Sequence, residues 1–195
     1  LDKGTSGLIV VAKTEAAMRR LSAAIAKREV RREYDAIVWG APAATSGTIE
    51  APIGRHPTER TRFAVSAAGR AAVTHYRVRE RFALHGEDVP SRAPRGRKSS
   101  SSSSSSSERL SLLDLRLETG RTHQIRVHCA AIGHPIAGDA AYGPGMPKLG
   151  AGRPMLHAAR LRFTHPVTGK PLTFEAPWPD DFRELVERLR SGGAS

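Results

Sequence analysis

The segment 110–117 alternates between apolar and charged side chains with a period of two residues. Its two faces consist of Leu113, Leu115 and Leu117 on one side and of Asp114 and Arg116 on the other. This period predicts a β-strand that buries one face and therefore needs neighbours in a sheet. Other short apolar segments along the chain are separated by turn residues, and few segments have helical periodicity. Such an alternation of hairpin strands with a few helices predicts an α+β fold.

The same patterns place the other elements. Further strands are predicted at residues 6–13, 33–39, 47–53, 63–65, 72–78, 155–163 and 172–174. Among these, 63–65 and 72–78 are expected to pair as a hairpin, and the apolar run 8–12 is expected to be buried. Capping residues and apolar periodicity predict three helices, at about residues 14–28, 122–131 and 179–189.

The charge of the chain limits its class of partner. Lys and Arg number 31 against 19 Asp and Glu, which gives a formal net charge of +12. Such an excess favours a polyanionic partner, with nucleic acid as the first candidate, over a merely soluble basic protein. A length of 195 residues suffices for one domain with a sizeable core.

Cysteine and apolar content restrict the environment. A single cysteine, Cys129, excludes an internal disulfide bond and favours a reducing compartment such as the cytoplasm. No cluster of cysteine and histidine has the spacing of a zinc site, and no apolar run approaches the roughly 20 residues that cross a membrane. We therefore expect neither a metal nor a membrane partner.

Two polar motifs are candidates for a functional site. The first reads Leu1-Asp2-Lys3-Gly4-Thr5-Ser6-Gly7 and places a carboxylate in a turn before the apolar run 8–12. Taken alone, this motif favours an ordinary turn aspartate, because carboxylates are common in loops. The second reads Gly120-Arg121-Thr122-His123-Gln124-Ile125-Arg126-Val127-His128 and combines two arginines, two histidines and a glutamine.

Together the two motifs resemble the RluA-type pseudouridine synthases. Motifs of that family read His-Arg-Leu-Asp-x-x-Thr-Ser-Gly, Thr-Gly-Arg-x-His-Gln-(Ile/Leu)-Arg-Val-His and Gly-x-Pro-Ile-x-Gly-Asp-x-x-Tyr-Gly. In this chain, residues 1–7, 119–128 and 133–143 are similar to them, and residues 32–40 resemble the family pattern Lys/Arg-x-Tyr-x-Ala-x-Val-x-Gly. The segments Gly-Arg-His-Pro-Thr and Thr-His-Tyr-Arg-Val further resemble sequences of the synthase D branch, which modifies large-subunit ribosomal RNA.

The resemblance implies a fold, a reaction and three catalytic residues. The implied fold is a mixed, largely antiparallel sheet with flanking helices and a central RNA-binding cleft. The implied reaction isomerises uridine to pseudouridine in RNA, without a metal or an organic cofactor. Asp2 would be the catalytic carboxylate, Arg126 the cation that keeps it ionised, and Tyr34 the aromatic group against the flipped base. The residues alone leave Tyr34 as a core aromatic and the arginines as phosphate contacts.

Further polar residues are expected to contact RNA. They come from the second motif and from the basic loop 54–62, and they are Arg121, His123, Gln124, Arg55 and Arg62. Arg121 is also the alternative partner of Asp2, or a residue that holds its loop.

The expected domain organisation is simple. Residues 1–195 are predicted to form a single pseudouridine synthase catalytic domain whose N-terminal part is missing, because the chain opens inside a motif. Residues 84–109 break the pattern with prolines, glycines, basic residues and nine serines at 99–107. Such a composition cannot bury a core, so a disordered insertion at a hairpin tip is predicted, and a role of it in touching RNA stays open.

The expected substrate is structured RNA, above all large-subunit ribosomal RNA. A tRNA-directed synthase of the same family and a non-catalytic RNA-binding module derived from such an enzyme are the alternatives. A metal-dependent nucleic-acid hydrolase would need several carboxylates around its metal, and the sequence offers no such cluster. We expect the protein to act as a monomer in the cytoplasm.

Overall fold

The computed structural model describes residues 1–59, 61–84, 109–146 and 149–192. Within these ranges the strands are β1 (Ser6–Gly7), β2 (Arg31–Trp39), β3 (Ser46–Glu50), β4 (Ile53–Arg55), β5 (Phe63–Val65), β6 (Val73–Ala83), β7 (Arg109–Leu117), β8 (Leu156–Thr164) and β9 (Pro171–Glu175). The helices are α1 (Glu15–Ala26), α2 (Gln124–Ala131) and α3 (Asp180–Gly192). None of these described helices is both long and apolar enough to cross a membrane.

One large sheet organises the fold. Its strand order is β1-β8-β2-β7-β6-β3, and β9 pairs with β8 beside β1. All neighbours in this sheet are antiparallel except β1 and β8, which run parallel. Strands β4 and β5 form a separate two-stranded sheet. This mixed, mostly antiparallel sheet with three helices confirms the predicted α+β fold.

The centre of the sheet is covered on both faces. Residues 36–39 of β2 are at most 1% exposed, which requires packing on both sides. Tyr34 shares a pocket wall with Ile125 of α2, whereas the Asp35 carboxylate accepts a hydrogen bond of 2.5 Å from the Trp178 indole, just before α3. Because successive strand residues point to opposite faces, α2 and α3 lie on opposite sides of the sheet.

The N-terminal apolar run does not form the predicted buried strand. Only Ser6 and Gly7 pair with β8, opposite His157 and Ala158. The following residues leave the sheet, and the side chains of Ile9 and Val11 are 64% and 73% exposed. The prediction of burial for 8–12 is therefore wrong.

One predicted strand and one predicted pairing also differ from the structure. The predicted strand 47–53 is divided into β3 and β4, which belong to different sheets. The predicted hairpin of 63–65 with 72–78 is wrong, because β5 pairs with β4 while β6 pairs with β3 and β7. The strands at 63–65 and 72–78 were located nearly correctly, but they do not pair with each other.

Both ends of the predicted insertion 84–109 are ordered. Leu84 is buried and packs in the main core, and Arg109 begins β7, where it pairs with Ala83 of β6. The prediction of disorder is therefore wrong for these two residues. Its remainder, 85–108, lies outside the described residues.

The single cysteine provides a test of how tightly the core is closed. Cys129 on α2 is fully buried, and burial raises the pKa of its thiol to about 12. Because the thiolate is the reactive form, we expect no modification by a thiol reagent such as dithiobis(nitrobenzoic acid) at pH 8 in the native protein. The same protein in concentrated urea should react with one equivalent. Rapid labelling without urea would show that the core around α2 opens easily.

Candidate active site

Residues from both predicted motifs surround one pocket on the α2 side of the sheet. The pocket has a volume of about 290 Å³. Its lining residues include Asp2, Thr5, Arg32, Tyr34, Arg121 and Gln124. Segments that are more than 80 residues apart in the chain thus meet around the carboxylate of Asp2. No group of three or more His, Cys, Asp or Glu in the described part of the chain could hold a metal ion.

A tight turn positions Asp2. The Thr5 amide donates a hydrogen bond of 3.0 Å to the Asp2 carbonyl, and Gly4 in this turn has φ +86°, a conformation that favours glycine. The Arg153 guanidinium donates to the Gly4 carbonyl at 3.0 Å. Arg153 itself is held by two hydrogen bonds to the Asp181 carboxylate, at 2.7 and 2.8 Å, in the first turn of α3. The turn is therefore fixed to α3 as well as to its own sequence.

The next two motif residues fasten the turn to β8. The His157 Nε2 atom faces the Ala176 carbonyl at 3.1 Å, so in the neutral ring Nε2 carries the hydrogen. The Ser6 hydroxyl then donates to His157 Nδ1 at 2.9 Å. Gly7 packs so closely on the Ala158 carbonyl that any Cβ atom there would clash with it. These contacts explain why small residues follow Asp2.

Arg126 is near Asp2, but its main partner is Asp139. The Arg126 Nη1 atom lies 3.8 Å from Asp2 Oδ2. Two shorter hydrogen bonds, of 2.6 and 2.9 Å, join the same guanidinium to the Asp139 carboxylate. The side chains of Arg126 and Asp139 are only 9% and 1% exposed, whereas that of Asp2 is 25% exposed. The predicted pair thus belongs to a triad in which Asp139 holds Arg126 and leaves one of its nitrogens facing Asp2.

The charge of Arg126 is stabilised by both carboxylates. Burial by itself would lower the pKa of Arg126, but the hydrogen bond and charge of Asp139, together with the charge of Asp2, raise its pKa above the ordinary value. A permanent cation therefore lies beside the Asp2 carboxylate.

Tyr142 supports this triad from the other side. The Arg126 guanidinium lies 4.9 Å from the centre of the Tyr142 ring, and Arg62 lies 5.3 Å from it. Asp139 Oδ1 accepts hydrogen bonds from the amides of Ala141 and Tyr142, at 3.0 and 3.2 Å. Sequence reasoning assigned no role to Asp139 or Tyr142, although both stand in the third motif as its Gly-Asp and Tyr-Gly residues.

His123 connects Tyr142 to the start of α2. It adopts a left-handed conformation with φ 56°, which is uncommon for a residue other than glycine. Burial lowers its pKa, the Asp2 charge opposes this, and the Arg126 charge adds to it. The ring is therefore neutral at pH 7, and its Nδ1 lies 2.8 Å from the Tyr142 hydroxyl. Contact of His123 with RNA stays a prediction.

Tyr34 forms part of the pocket wall on β2. The residue is partly exposed, and it pairs across the sheet with Leu115 and Ala158. Burial raises the pKa of its hydroxyl, Arg32 lowers it and Asp2 raises it, with a net upward shift. Tyr34 is thus a neutral phenol beside Asp2, positioned for contact with a pocket ligand.

The predicted RNA contacts have diverse surroundings. The Gln124 amide is buried and fully bonded: its oxygen accepts from Thr119 and the Arg121 amide, and its nitrogen donates to Val73 and Thr74. This arrangement favours holding the loop over the predicted contact with RNA. Arg121 lines the pocket and donates to the Ala71 carbonyl at 3.0 Å.

The two arginines of the basic loop are not equivalent. Arg62 forms an ion pair of 2.8 Å with Glu59 and lies over Tyr142, so part of its surface is used within the protein. Arg55 is exposed, and its guanidinium lies 5.2 Å from the centre of the Phe63 ring. Contact of either residue with RNA stays a prediction.

Comparison with known proteins gives the same family from sequence. Residues 1–131 match the family described as RNA pseudouridylate synthase. The chain is 46% identical, over 97% of its length, to ribosomal large subunit pseudouridine synthase D of Vibrio vulnificus. It is 44% identical, over 98% of its length, to the protein of that name from Escherichia coli K12. Both alignments cover 54% of the relative, so the chain spans about half the length of the curated relatives it matches.

Solved structures agree. The human RNA pseudouridylate synthase domain containing 1 protein superposes with a TM-score of 0.72 and 28% identity, over 98% of this chain and 78% of that one. The human RNA pseudouridylate synthase domain containing 4 protein has the same fold, with a TM-score of 0.67 and 23% identity over 97% of this chain and 74% of that one. With its motifs gathered around one pocket and two thirds of its length matched, the chain belongs to the RNA pseudouridylate synthase family.

Proposed function

We propose that this protein isomerises uridine to pseudouridine in RNA, with Asp2 as the catalytic carboxylate. The observation that carries the proposal is the position of Asp2 in the pocket, 3.8 Å from Arg126 and beside Tyr34. The carboxylate is accessible to a ligand, whereas the guanidinium that faces it is buried and fixed by Asp139. A free carboxylate next to an immobilised cation is suited to stabilise or attack an electron-poor centre.

The reaction needs only the groups that the pocket provides. The N1–C1′ bond of uridine breaks, a C5–C1′ bond forms, a proton leaves C5 and N1 gains one, so no redox change occurs. Asp2 either attacks covalently or assists cleavage of the glycosidic bond and removal of a proton from C2′. Tyr34, as a neutral phenol with an aromatic face, provides a surface against which an extruded base can stack.

A uridine that is stacked in folded RNA cannot reach this pocket. The enzyme must extrude the nucleotide, at a cost of a few kcal/mol that contacts with the flanking RNA offset. The formal net charge of +12 supplies the attraction for those contacts. Uridines in loops cost less to extrude than paired ones, so we propose a loop uridine as the target.

We propose large-subunit ribosomal RNA as the substrate and the cytoplasm as the location, with the protein acting as a monomer. The substrate follows from the names of the relatives, which are ribosomal large subunit pseudouridine synthases. A tRNA remains the competing substrate.

The test measures tritium released from RNA labelled at C5 of uridine. We expect release from a large-subunit ribosomal RNA transcript and none from a tRNA pool under the same conditions. Mapping the product by carbodiimide-dependent stops of reverse transcription identifies the site. Release from tRNA alone would reverse the substrate assignment, and the absence of release from either RNA would contradict the activity itself.

A further inference from the structure

Two buried polar atoms in the walls of the active-site pocket have no hydrogen-bond partner among the described residues. They are the Nε atom of Arg32 and the hydroxyl of Thr5. Both residues line the pocket that contains Asp2 and Tyr34. Buried polar groups are nearly always hydrogen-bonded, so unpaired donors in the wall of a binding pocket indicate a polar ligand.

The guanidinium of Arg32 has no carboxylate partner among the described residues, in contrast to three other arginines near the site. Arg126 binds Asp139, Arg153 binds Asp181, and Arg160 binds Glu33. For Arg32, no ion pair occurs within the described part of the chain. Burial lowers its pKa, and the only opposing influence comes from Tyr34. A partly buried cation without a counter-ion is costly, and an anion delivered by the ligand would remove that cost.

The position of Arg32 directs it to the same ligand as Asp2. It precedes Tyr34 by two residues on β2, and both side chains line the pocket. On the opposite side, Gly120 lies so close that a Cβ atom there would stand 2.5 Å from Arg32 Nη1. The glycine of the Thr-Gly-Arg turn thus leaves room for the guanidinium. The ion pair of Asp2 is formed with Arg126, so Arg32 is a separate cation in the wall of the same pocket.

We propose that Arg32 binds a backbone phosphate next to the uridine that enters the pocket. The inference rests on the proposed function, since it assumes that the ligand is RNA. Uracil and ribose are neutral, so the phosphates are the anions that an extruded nucleotide brings to the pocket. The planar guanidinium matches two phosphate oxygens with two parallel hydrogen bonds, which a point charge such as lysine cannot do. Arg32 would thereby hold the flipped nucleotide while Arg126 serves the chemistry.

The test pairs a protein change with a matched change in the RNA. The probe is a hairpin RNA with one loop uridine, prepared with natural phosphates or with a neutral methylphosphonate on the 5′ or the 3′ side of that uridine. Dissociation constants and, where turnover occurs, kcat/KM are measured for wild type and for Arg32→Gln. Arg19→Gln, on the exposed surface of α1, removes the same charge away from the pocket. Melting temperatures establish that each variant is folded, and Arg32→Lys provides a milder change if Arg32→Gln is not.

We expect Arg32→Gln to weaken binding of the natural RNA by roughly 10- to 100-fold, the range for a charge-assisted hydrogen bond. The affinity of wild type and of Arg19→Gln should fall by a similar factor when one of the two methylphosphonate RNAs replaces the natural RNA. Arg32→Gln should bind that modified RNA as well as it binds the natural RNA. Equal additional losses in wild type and Arg32→Gln on both modified RNAs would overturn the proposal and point to a contact with the base edge. So would unchanged binding by Arg32→Gln. Absence of tritium release from wild type would instead contradict the proposed function, while the binding cycle would still decide the role of Arg32.

Discussion

Replacing Asp2 with asparagine is expected to abolish turnover and to leave the fold intact. The backbone turn that places Asp2 is formed by its carbonyl, by Gly4 and by Arg153, so the substitution does not disturb it. The Asp2 side chain is 25% exposed and forms an ion pair of 3.8 Å with Arg126. Asparagine keeps the shape but can neither attack nor accept a proton. We expect a loss on the order of 10⁴-fold or more in the rate of tritium release, the upper range for a group that acts in the chemical step.

The measurement compares tritium release at saturating RNA with the melting temperature and the RNA affinity of the same variant. Glu15→Gln is a suitable control, because Glu15 is an exposed carboxylate on α1 whose partner is Arg19. The control should match wild type in all three quantities. If Asp2→Asn released tritium at the wild-type rate, the assignment of Asp2 as the catalytic carboxylate would be abandoned.

The main elements of the fold could be predicted because each has a local signal. The Thr14 side chain caps α1 by accepting a hydrogen bond of 3.2 Å from the Ala17 amide, and Gly133, with φ 82°, follows the end of α2. Over residues 113–117 of β7 the period of two also matched the burial, since the leucines are buried whereas Asp114 is partly buried and Arg116 is exposed. Residues 110–113 are all buried, so the period does not describe that part of the strand. Caps, breakers and periodicity act over a few residues, so they can be read from the sequence.

The pairing of the strands and the burial of apolar residues could not be predicted in the same way. The residues of β5 and β6 have strand-forming patterns that are compatible with several neighbours, and the structure pairs them with different strands. Ile9 and Val11 are as apolar as core residues but stay exposed, because burial depends on what the rest of the chain places over them. Strand pairing and burial depend on residues that are distant in the chain, so a short segment of sequence does not determine them.

Some residues of the candidate site could be predicted from the sequence, and others could not. Asp2, Tyr34 and Arg126 were selected by motif resemblance. The structure places Asp2 and Tyr34 in the wall of one pocket and Arg126 3.8 Å from the Asp2 carboxylate. Asp139 was overlooked because its role appears only when the turn after α2 returns its carboxylate to Arg126, thirteen positions earlier in the chain. A signal was present, since a carboxylate stands in a Gly-Asp pair of the third motif. Arg32 likewise stood in a motif without an assigned role, because only the structure shows that it lacks a carboxylate partner among the described residues.

The second large effect is expected for Asp139→Asn, which should reduce both stability and turnover. The change removes the negative charge from a pair that is nearly fully buried, and it leaves Arg126 without its bidentate partner. Breaking a buried ion pair on one side costs about 3–5 kcal/mol. For a chain of this size, each kcal/mol shifts the melting temperature by roughly 2–4 °C, so we expect a decrease of at least about 6 °C. Asp180→Asn, which affects an exposed pair with Arg183, should change the melting temperature by less than about 2 °C.

Turnover at saturating RNA distinguishes a positioning role of Asp139 from a merely structural one. The assay is run well below the melting temperature of the variant, so that all of the protein is folded. Arg126 released from Asp139 can rotate towards Asp2 or away from it, and in either case the geometry of the carboxylate and the cation is lost. We therefore expect kcat to fall by on the order of 10²-fold while the affinity for RNA changes little, since Asp139 is too deeply buried to contact it. A variant with a lowered melting temperature but wild-type kcat would show that Asp139 only stabilises the fold, and that Arg126 keeps its position beside Asp2 without it.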